Sequence, residues 1–285
     1  MDVKPATTYE EQVALLQSRG CIVEDKVRAI DVLSRVNYYR LSGYFYPFRN
    51  DDGTFHDGTS FEKIASIYDF DNRLRAVLSL AIGNAEIAAR SEIAYFHALK
   101  YGALGYLNPS GYKRYFDPCI LLSKFFETIK HNQNSPIIEH HRMKYNDQFP
   151  IWVAVEFFSM GTTSRFFSNL KKNDQKQIGN KYNASADQLG SWLLCLTNLR
   201  NVCAHYDRLY AAKFTARPSF PVAFSPQSSN LLFSQICVLK LLSQNGSEWR
   251  NSIVKGIAAL LNEYDRYIEL PKIGFPENWE NILIG

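Results

Sequence analysis

The sequence lacks a long uninterrupted apolar run. Its longest nearly uncharged stretches, IWVAV before Glu156 and ICVL before Lys240, are far shorter than the ~20 residues that a membrane-spanning helix needs. The first residues, MDVKPATTYEEQV, carry acidic and polar groups where a secretory signal has a basic patch and an apolar run. We therefore expect a cytoplasmic protein that is neither exported nor held in a membrane.

Cysteine is scarce and irregularly spaced. The chain has 5 cysteines, and no two of them form a Cys-x-x-Cys pair. This odd set gives neither a complete disulfide framework nor paired metal ligands, and it fits a reduced cytoplasm. Cys195 and Cys203, eight residues apart, are interpreted as small core residues. We expect no metal ion and no cofactor.

Neither sign of charge dominates. Lysine and arginine total 32 and aspartate and glutamate 28, which leaves a net charge of +4. Such a mild basic excess is compatible with a polyanionic partner but does not require one. The 285 residues are 46% hydrophobic and 14% aromatic, which is enough for a large buried core and too apolar for a disordered chain.

Helical periodicity dominates the pattern and predicts an all-α bundle. Thr7 and Thr8, followed by Glu10 and Glu11, predict a capping box, Asp25 a second helix start, and Ser60 the start of a helix that continues to about residue 101. Further helices are expected at about 118–131, 150–160, 162–170, 187–209, 228–244 and 248–268. Asp-Gly steps and Pro47 predict a small hairpin or an ordered loop near residues 44–60, and Gly43 predicts a turn.

The predicted organisation has three parts. Residues 1–58 form an N-terminal helical segment, residues 59–270 a helical domain, and residues 271–285 a C-terminal tail. A proline-containing connection, KFTARPSFPVAFSP, precedes the last two long helices of the domain. No internal repeat and no low-complexity segment occurs.

The segment RNVCAH at 200–205 carries the residues with the clearest chemistry. On a helical wheel, Arg200 falls on the same stripe as Leu189, Leu193, Leu196 and Leu199. A buried, unpaired guanidinium is costly, so Arg200 must meet a carboxylate, for which Glu86 and Glu156 are candidates, or line a cleft that admits an anion. The alternative is an ordinary structural role, in which basic residues at a helix C-terminus interact with the helix dipole.

These residue types suit RNA transesterification. His205 can act as general base or acid, Arg200 can donate to charge growing on a phosphoryl group, and Asn201 can orient the histidine or hold a phosphate oxygen. Arg200 and His205 lie five residues apart, about 140° around an ideal helix, so a side-by-side dyad within one helix is awkward. A site shared between two copies related by a two-fold axis fits better.

Four blocks of the sequence carry a family resemblance, which covers roughly residues 8–212. They are VNYYRLSGYFYPFR at 36–49, FEKIASIYDFDNRLR at 61–75, PIWVAVEFFSMGTTSRFFSNL at 150–170 and RNVCAHYDRLY at 200–210. The last resembles the Arg-Asn-x-x-x-His segment of HEPN ribonucleases, and all four in this order resemble the abortive-infection family called AbiD/AbiF-like. Similar domains occur in type VI CRISPR effectors.

The resemblance implies a HEPN helical core, a homodimer that pairs the two motifs, and a role in phage defence. It places the motif's arginine on Arg200, its polar follower on Asn201 and its histidine on His205. The resulting hypothesis is a metal-independent endoribonuclease. A non-catalytic protein that binds a small non-coding RNA, a toxin regulated by such an RNA, and a helical interaction module without nucleic acid are the alternatives.

Other groups admit two interpretations each. Tyr38, Tyr39 and Arg40 can bind RNA or pack in the core, and Lys171, Lys172 and Lys176 can bind an RNA backbone or form an ordinary solvated helix face. Asp69, Asp71, Arg73 and Arg75 are expected to form ordinary helix ion pairs, as are Glu86 and Arg90. His131, His140 and His141 are expected in a polar surface loop without zinc.

Overall fold

The structure is a computed structural model that describes residues 5–224 and 227–285. Residues 1–4, at the start of the predicted N-terminal segment, and Ser225 and Pro226, in the predicted proline-containing connection, lie outside the described residues. Helices provide nearly all the regular structure of the described chain, whose only strand-like pairs are isolated bridges. The predicted all-α fold is confirmed.

The α-helices of the described chain follow one another in this order: α1 (Tyr9–Ser18), α2 (Lys26–Arg35), α3 (Tyr38–Phe45), α4 (Phe61–Tyr101), α5 (Cys119–His131), α6 (Pro136–Tyr145), α7 (Ile151–Ala154), α8 (Met160–Asn169), α9 (Lys172–Asn180), α10 (Ala186–Ala204), α11 (Leu232–Leu242), α12 (Gly246–Glu248), α13 (Lys255–Glu263), α14 (Leu270–Ile273) and α15 (Trp279–Ile284). Short 3-10 turns follow α3 at Tyr46–Phe48 and α7 at Val155–Phe157, and a π-helical turn, Trp249–Val254, joins α12 to α13.

Helix α4 is the central element of the bundle. Its 41 residues extend about 60 Å at ~1.5 Å per residue. The Ser60 hydroxyl accepts a hydrogen bond from the backbone N–H of Lys63 at its start, and Gly102, with φ +81°, ends it. Helices α3, α7, α10 and α13 all contact α4, so it positions residues from distant parts of the sequence.

The predicted starts of the early helices are confirmed. Thr8 and Glu11 form a capping box at α1, because the Thr8 hydroxyl accepts from Glu11 N and the Glu11 carboxylate accepts from Thr8 N. Asp25 caps α2 by accepting from the backbone N–H of Arg28 at 2.9 Å. Short polar side chains at these positions satisfy N–H groups that have no partner inside the helix.

Several predicted boundaries are wrong. Gly43 lies within α3 instead of in a turn. The expected helix at 150–160 is only α7 with a 3-10 turn, because Phe158 is extended and Ser159 begins α8. The expected loop around His140 and His141 is α6, in which His141 is buried against Phe149. The expected helix at 187–209 ends at Ala204.

The segment between α3 and α4 is the ordered loop allowed by the sequence. Arg49 and Phe55 form an isolated antiparallel bridge around a turn at Gly53, whose φ is +89°. Ile22 pairs with Ser60 in a parallel bridge. Phe55 also donates its backbone N–H to the carbonyl of Arg19 at 2.8 Å, so this loop is fastened to the end of α1.

One apolar core extends from α1 to α15. It includes Val13 of the first helix and Leu283 of the last, with α4 and α10 contributing many of its fully buried side chains. The three-part division predicted from the sequence stays a prediction. Among the described residues, no helix combines the length and the apolar character needed to cross a membrane.

His97 is a polar residue in this core. It is fully buried on α4, between the rings of Tyr101 and Phe166 at 4.9 and 5.2 Å. Neither ring nitrogen has a hydrogen-bond partner among the described residues. Burial lowers the pKa of His97 to about 4, while the nearby Asp174 carboxylate opposes this change. The folded protein therefore holds this imidazole neutral, whereas the unfolded chain protonates it near pH 6.5.

Replacing His97 with leucine should reduce the loss of stability in acid. Between about pH 6.5 and pH 4 the unfolded chain binds more protons at this position, so the free energy of unfolding falls as the pH falls, by up to about 3 kcal/mol. Urea unfolding of parent and His97→Leu at pH 7.5 and 4.5 measures this difference. Relative to the parent, the free energy of unfolding of the variant should be higher at pH 4.5 than at pH 7.5. An equal difference between variant and parent at both pH values would contradict the neutral, buried state of His97.

Candidate functional site

Helix α10 carries the Arg-Asn-x-x-x-His segment at its C-terminal end. The helix begins with a capping box, in which the Ser185 hydroxyl accepts from Gln188 N and the Gln188 side chain accepts from Ser185 N at 2.8 Å. Leu193, Leu196 and Leu199 are buried, and they fix the rotation of the helix against its neighbours α4 and α8. The motif lies on the other, uncovered side of the last turn.

Arg200 does not continue the buried stripe, contrary to the wheel prediction. Its side chain is 44% exposed, although Leu196, one turn earlier on the same stripe, is buried. The long side chain keeps its apolar stem beside the bundle while the guanidinium reaches solvent. That guanidinium makes no hydrogen bond within residues 5–224 and 227–285, so its donors are free to meet an anion.

A carboxylate of α4 faces Arg200, and it is Glu86, not Glu156. The Glu86 Oε2 atom lies 4.0 Å from Arg200 Nε, while Glu86 Oε1 accepts from Arg90 Nη2 at 2.6 Å. The same Arg90 nitrogen donates to the carbonyl of Phe158 at 2.7 Å. The predicted Glu86–Arg90 ion pair is thus confirmed. It fixes a carboxylate, only 13% exposed, beside the motif arginine.

His205 and Asn201 are exposed at the same end of α10. His205 is the C-terminal cap, and its backbone N–H donates to the Asn201 carbonyl at 2.9 Å. Within the described residues, no side-chain hydrogen bond joins Arg200, Asn201 and His205. One chain therefore presents the three side chains to solvent without bringing them into a bonded dyad, as the five-residue spacing predicts.

The turn after the motif is held by a buried carboxylate of α4. Asp71 is fully buried, and it accepts the backbone N–H of Leu209 at 2.7 Å and that of Tyr210 at 3.0 Å. Arg75, one turn further along α4, donates to the carbonyls of Val202 and Asp207 at 3.3 and 3.1 Å. The bonds from Arg75 join the end of α10 to α4, and those to Asp71 hold the segment five and six residues past Ala204.

Burial raises the pKa of the Asp71 carboxyl to about 6, and the two backbone N–H groups and Arg75 oppose that effect. Asp71 is therefore ionised at neutral pH, when it can accept from both amides at once. Tyr206, within the held turn, has the uncommon φ of +56°, and the Arg75 guanidinium lies 5.0 Å from the centre of its ring.

Asp69, Asp71, Arg73 and Arg75 were expected to form ordinary helix ion pairs, and this is wrong. Arg73 pairs with Glu263, the last residue of α13, and Asp69 accepts from the hydroxyl of Tyr264, the next residue. Both contacts therefore join α4 to the C-terminal end of α13. A signal for the role of Asp71 and Arg75 was present in the sequence. They fall in phase with Ile67, Leu74 and Leu78, and charges on an apolar stripe indicate buried partners.

Tyr38, Tyr39 and Arg40 lie beside the end of α10. They open α3, where the Asn37 side chain accepts from the Tyr39 N–H at 2.8 Å. Arg40 Nη1 donates to the carbonyl of Tyr206 at 2.7 Å, one residue past the motif histidine. Tyr39 is 86% exposed and Tyr38 half-buried, so Tyr39 is not a core residue.

The basic residues Lys171, Lys172 and Lys176 lie at the other end of α10. All three are exposed at or in α9, and Lys172 pairs with Asp187 in the first turn of α10. Asp187 and His205 are separated by 18 residues of sequence, or about 27 Å of helix at ~1.5 Å per residue. The predicted RNA-backbone surface is therefore not adjacent to the motif.

The family model described as Abi-like protein matches residues 31–211. The chain belongs to this abortive-infection family. The match covers more than half of the sequence, from α2 to the residue after the Asp71-bound Tyr210, and it contains the whole motif. Membership supports a role in abortive infection. No curated protein and no solved structure matches the chain.

Replacing Asp71 with asparagine should destabilise the turn that follows the motif. Asparagine lacks the charge that strengthens these hydrogen bonds, and its NH₂ group would replace the Oδ1 acceptor that faces the Tyr210 N–H, so we expect a loss of about 2 to 4 kcal/mol in the free energy of unfolding. Asp57→Asn, at an exposed position whose side chain makes no ion pair or hydrogen bond in the described chain, is the control and should cost less than about 1 kcal/mol. Urea unfolding of both variants measures the difference; equal stabilities would refute this role of Asp71.

Proposed function

We propose that this Abi-like protein is a metal-independent endoribonuclease of HEPN type, with Arg200 and His205 as its catalytic residues. The observation that carries the proposal is the state of these two side chains. Both are exposed at the end of a helix that Glu86, Asp71 and Arg75 fix in place, and neither is used in a hydrogen bond within the described chain. Exposed and without hydrogen bonds to the described residues, both side chains are accessible to a ligand from solvent.

The reaction would be an intramolecular displacement at phosphorus. A 2′-hydroxyl loses its proton to a general base and its oxygen attacks the adjacent phosphorus, while the bond from phosphorus to the 5′-oxygen breaks and that oxygen gains a proton. His205 would serve as base or acid, the role in proton transfer that histidine takes most often. The products are a 2′,3′-cyclic phosphate and a 5′-hydroxyl.

Arg200 would stabilise the charge that grows on the phosphoryl oxygens. Its planar set of donors matches two oxygens of one phosphate, and its charge is permanent. Glu86 lies beside the Arg200 Nε atom and would keep the outer nitrogens directed at the substrate. Asn201, exposed on the same turn, would orient the histidine or hold a phosphate oxygen.

A homodimer would complete the site. Because the motif residues of one α10 lie about 140° apart around the helix, a second copy related by a two-fold axis supplies the missing partner for each. The family resemblance supports the same pairing. Sedimentation should then give twice the mass of one chain. Cleavage of cellular RNA after phage infection would halt growth, which accords with the abortive-infection family.

The purified protein should cut RNA in EDTA and leave DNA of the same sequence intact. DNA lacks the 2′-hydroxyl that acts as the nucleophile, and the mechanism assigns no step to a metal ion. The product ends should be 2′,3′-cyclic phosphate and 5′-hydroxyl, as read by end-labelling and mass spectrometry. Cleavage of both polymers, or cleavage of RNA that appears only with magnesium, would exclude the mechanism. Bound RNA that stays intact would identify an RNA-binding protein instead.

Substitution of the two motif residues should remove activity without unfolding the protein. His205→Ala should slow cleavage by about 10²-fold or more, the usual contribution of a general acid or base. Arg200→Ala should also abolish cleavage and weaken RNA binding, because a permanent charge contacts phosphate in the ground state as well. Both residues are exposed, so the free energy of unfolding should change by less than about 1 kcal/mol.

Two variants serve as controls in that experiment. Arg142→Ala removes an arginine that is also 44% exposed and ion-paired, in this case with Asp147. His131→Ala removes an exposed histidine at the end of α5. Both should retain parental cleavage. A His205→Ala protein that cuts RNA at the parental rate would eliminate this histidine from the mechanism.

A further inference from the structure

A cavity of about 370 Å³ lies between the end of α1, helix α3 and the turn that follows α10. Three arginines line it, Arg19, Arg49 and Arg208, and no carboxylate does. Within residues 5–224 and 227–285 none of the three takes part in an ion pair. The Asp71 carboxylate, outside the cavity lining, acts electrostatically on Arg208, but three guanidinium groups around one concave surface with no carboxylate in its lining still favour an anion.

Arg208 has a donor that the protein leaves unused. Its Nη1 atom is buried and has no hydrogen-bond partner in the described chain. Such a group costs free energy unless an acceptor meets it, and Arg208 is one of the residues that line the cavity. The turn held by Asp71 and Arg75 carries Arg208 three residues beyond His205, so the cavity is lined by the segment that directly follows the motif.

The side of the cavity formed by α3 is aromatic. Tyr39, Ser42, Gly43 and Tyr46 line it at spacings of three and four residues, so they form one stripe along α3 and the 3-10 turn after it. Tyr39 and Tyr46, at the two ends of this stripe, are 86% and 72% exposed. Two exposed rings beside a cationic cavity provide faces on which unpaired bases can stack.

Packing does not explain why a glycine occupies position 43, in the middle of this stripe. A glycine inside a helix costs about 1 kcal/mol relative to alanine. Its φ is not positive, and a Cβ atom added to it would meet nothing within 4 Å. The fold would accept a side chain at this position. The missing side chain instead leaves open space between the two tyrosines, on the side of α3 that faces the arginines.

We propose that this cavity binds one nucleotide of single-stranded RNA, with its phosphate among Arg19, Arg49 and Arg208 and its base on the Tyr39–Gly43–Tyr46 stripe. The inference rests on the proposed function for RNA as the substrate, and it adds a substrate-positioning subsite next to His205. A base can reach the stripe only when it is unpaired, so the site selects single strands over duplexes.

Fluorescence anisotropy with a labelled eight-nucleotide RNA tests the proposal. All measurements use the full chain with His205→Ala, so that failure of cleavage cannot be confused with failure of binding. Arg208→Gln should weaken binding about tenfold and reduce the slope of log K against log salt by about 0.7, the value for one phosphate contact on a single strand. Arg142→Gln, which alters an arginine on α6, should change neither.

Gly43→Leu is the second variant, and it tests the cavity without removing a buried side chain whose loss could unfold the protein. It should fold at least as stably as the parent, because leucine favours helix and the added Cβ atom meets nothing within 4 Å, yet it should weaken binding about tenfold by filling the stripe. Gly83→Leu is its control, since Gly83 also lies inside a helix and has nothing within 4 Å of an added Cβ. That control should bind RNA like the parent.

Competition identifies the ligand. An excess of the same RNA annealed to its complement, of a nucleoside 5′-monophosphate, or of polyglutamate should each displace the labelled strand much less well than unlabelled single strand. Equal competition by the duplex or by polyglutamate would contradict the proposal that the cavity binds unpaired nucleotides. Equal competition by the mononucleotide would assign the cavity to a free nucleotide. Parental binding by both Arg208→Gln and Gly43→Leu would remove it from RNA binding altogether.

Discussion

The buried carboxylate of Asp71 is the constraint on which the motif region depends. It accepts two consecutive backbone N–H groups from a segment 138 and 139 residues further along the chain. Without that acceptor these amides would be buried without partners. Arg75 and Arg40 bond to carbonyls of the same turn, so together with Asp71 they fix the backbone that carries His205 and Arg208.

Helix α4 supports both ends of the candidate site. Asp71 and Arg75 hold the turn after the motif, and four turns later Glu86 faces Arg200. These groups belong to one continuous helix, so the arginine and the turn are positioned against the same support. Arg40 adds a contact from α3 to the same turn, which joins the tyrosine-rich segment to the motif.

The helical fold and the motif could be predicted because both are encoded locally. Capping residues such as Ser60 and the three-and-four spacing of apolar residues act over one or two turns. The partners of Asp71 could not be predicted, since the contact joins residues far apart in the sequence and depends on how α4 and α10 cross. The helical wheel did not predict that Arg200 is exposed, for a related reason. A wheel gives the angle of a residue around its helix and does not say where along the helix the neighbouring element ends.

The misplaced boundaries have a similar origin. Gly43 was expected to break α3, because glycine disfavours helix on average, but the flanking residues Leu41, Tyr44 and Phe45 are buried and stabilise the helix through packing. The helix expected at 187–209 retains helical propensity past Ala204. It ends in a turn in which Tyr206 has a φ of +56° and the Asp207 N–H donates to the Val202 carbonyl at 3.0 Å. Arg75 of α4 bonds to the carbonyls of both Val202 and Asp207. Tertiary contacts overrode local preference at both places.

The last turn of a helix usually frays, and a site built there would have to be ordered by its ligand at an entropic cost. The turn after α10 differs, because Asp71 and Arg75 hold it through backbone groups and leave its side chains outside the contact. Docking of a ligand would therefore immobilise only the rotamers of a few long side chains. The backbone entropy has already been lost during folding, so the protein is preorganised at the point where most helices are least ordered.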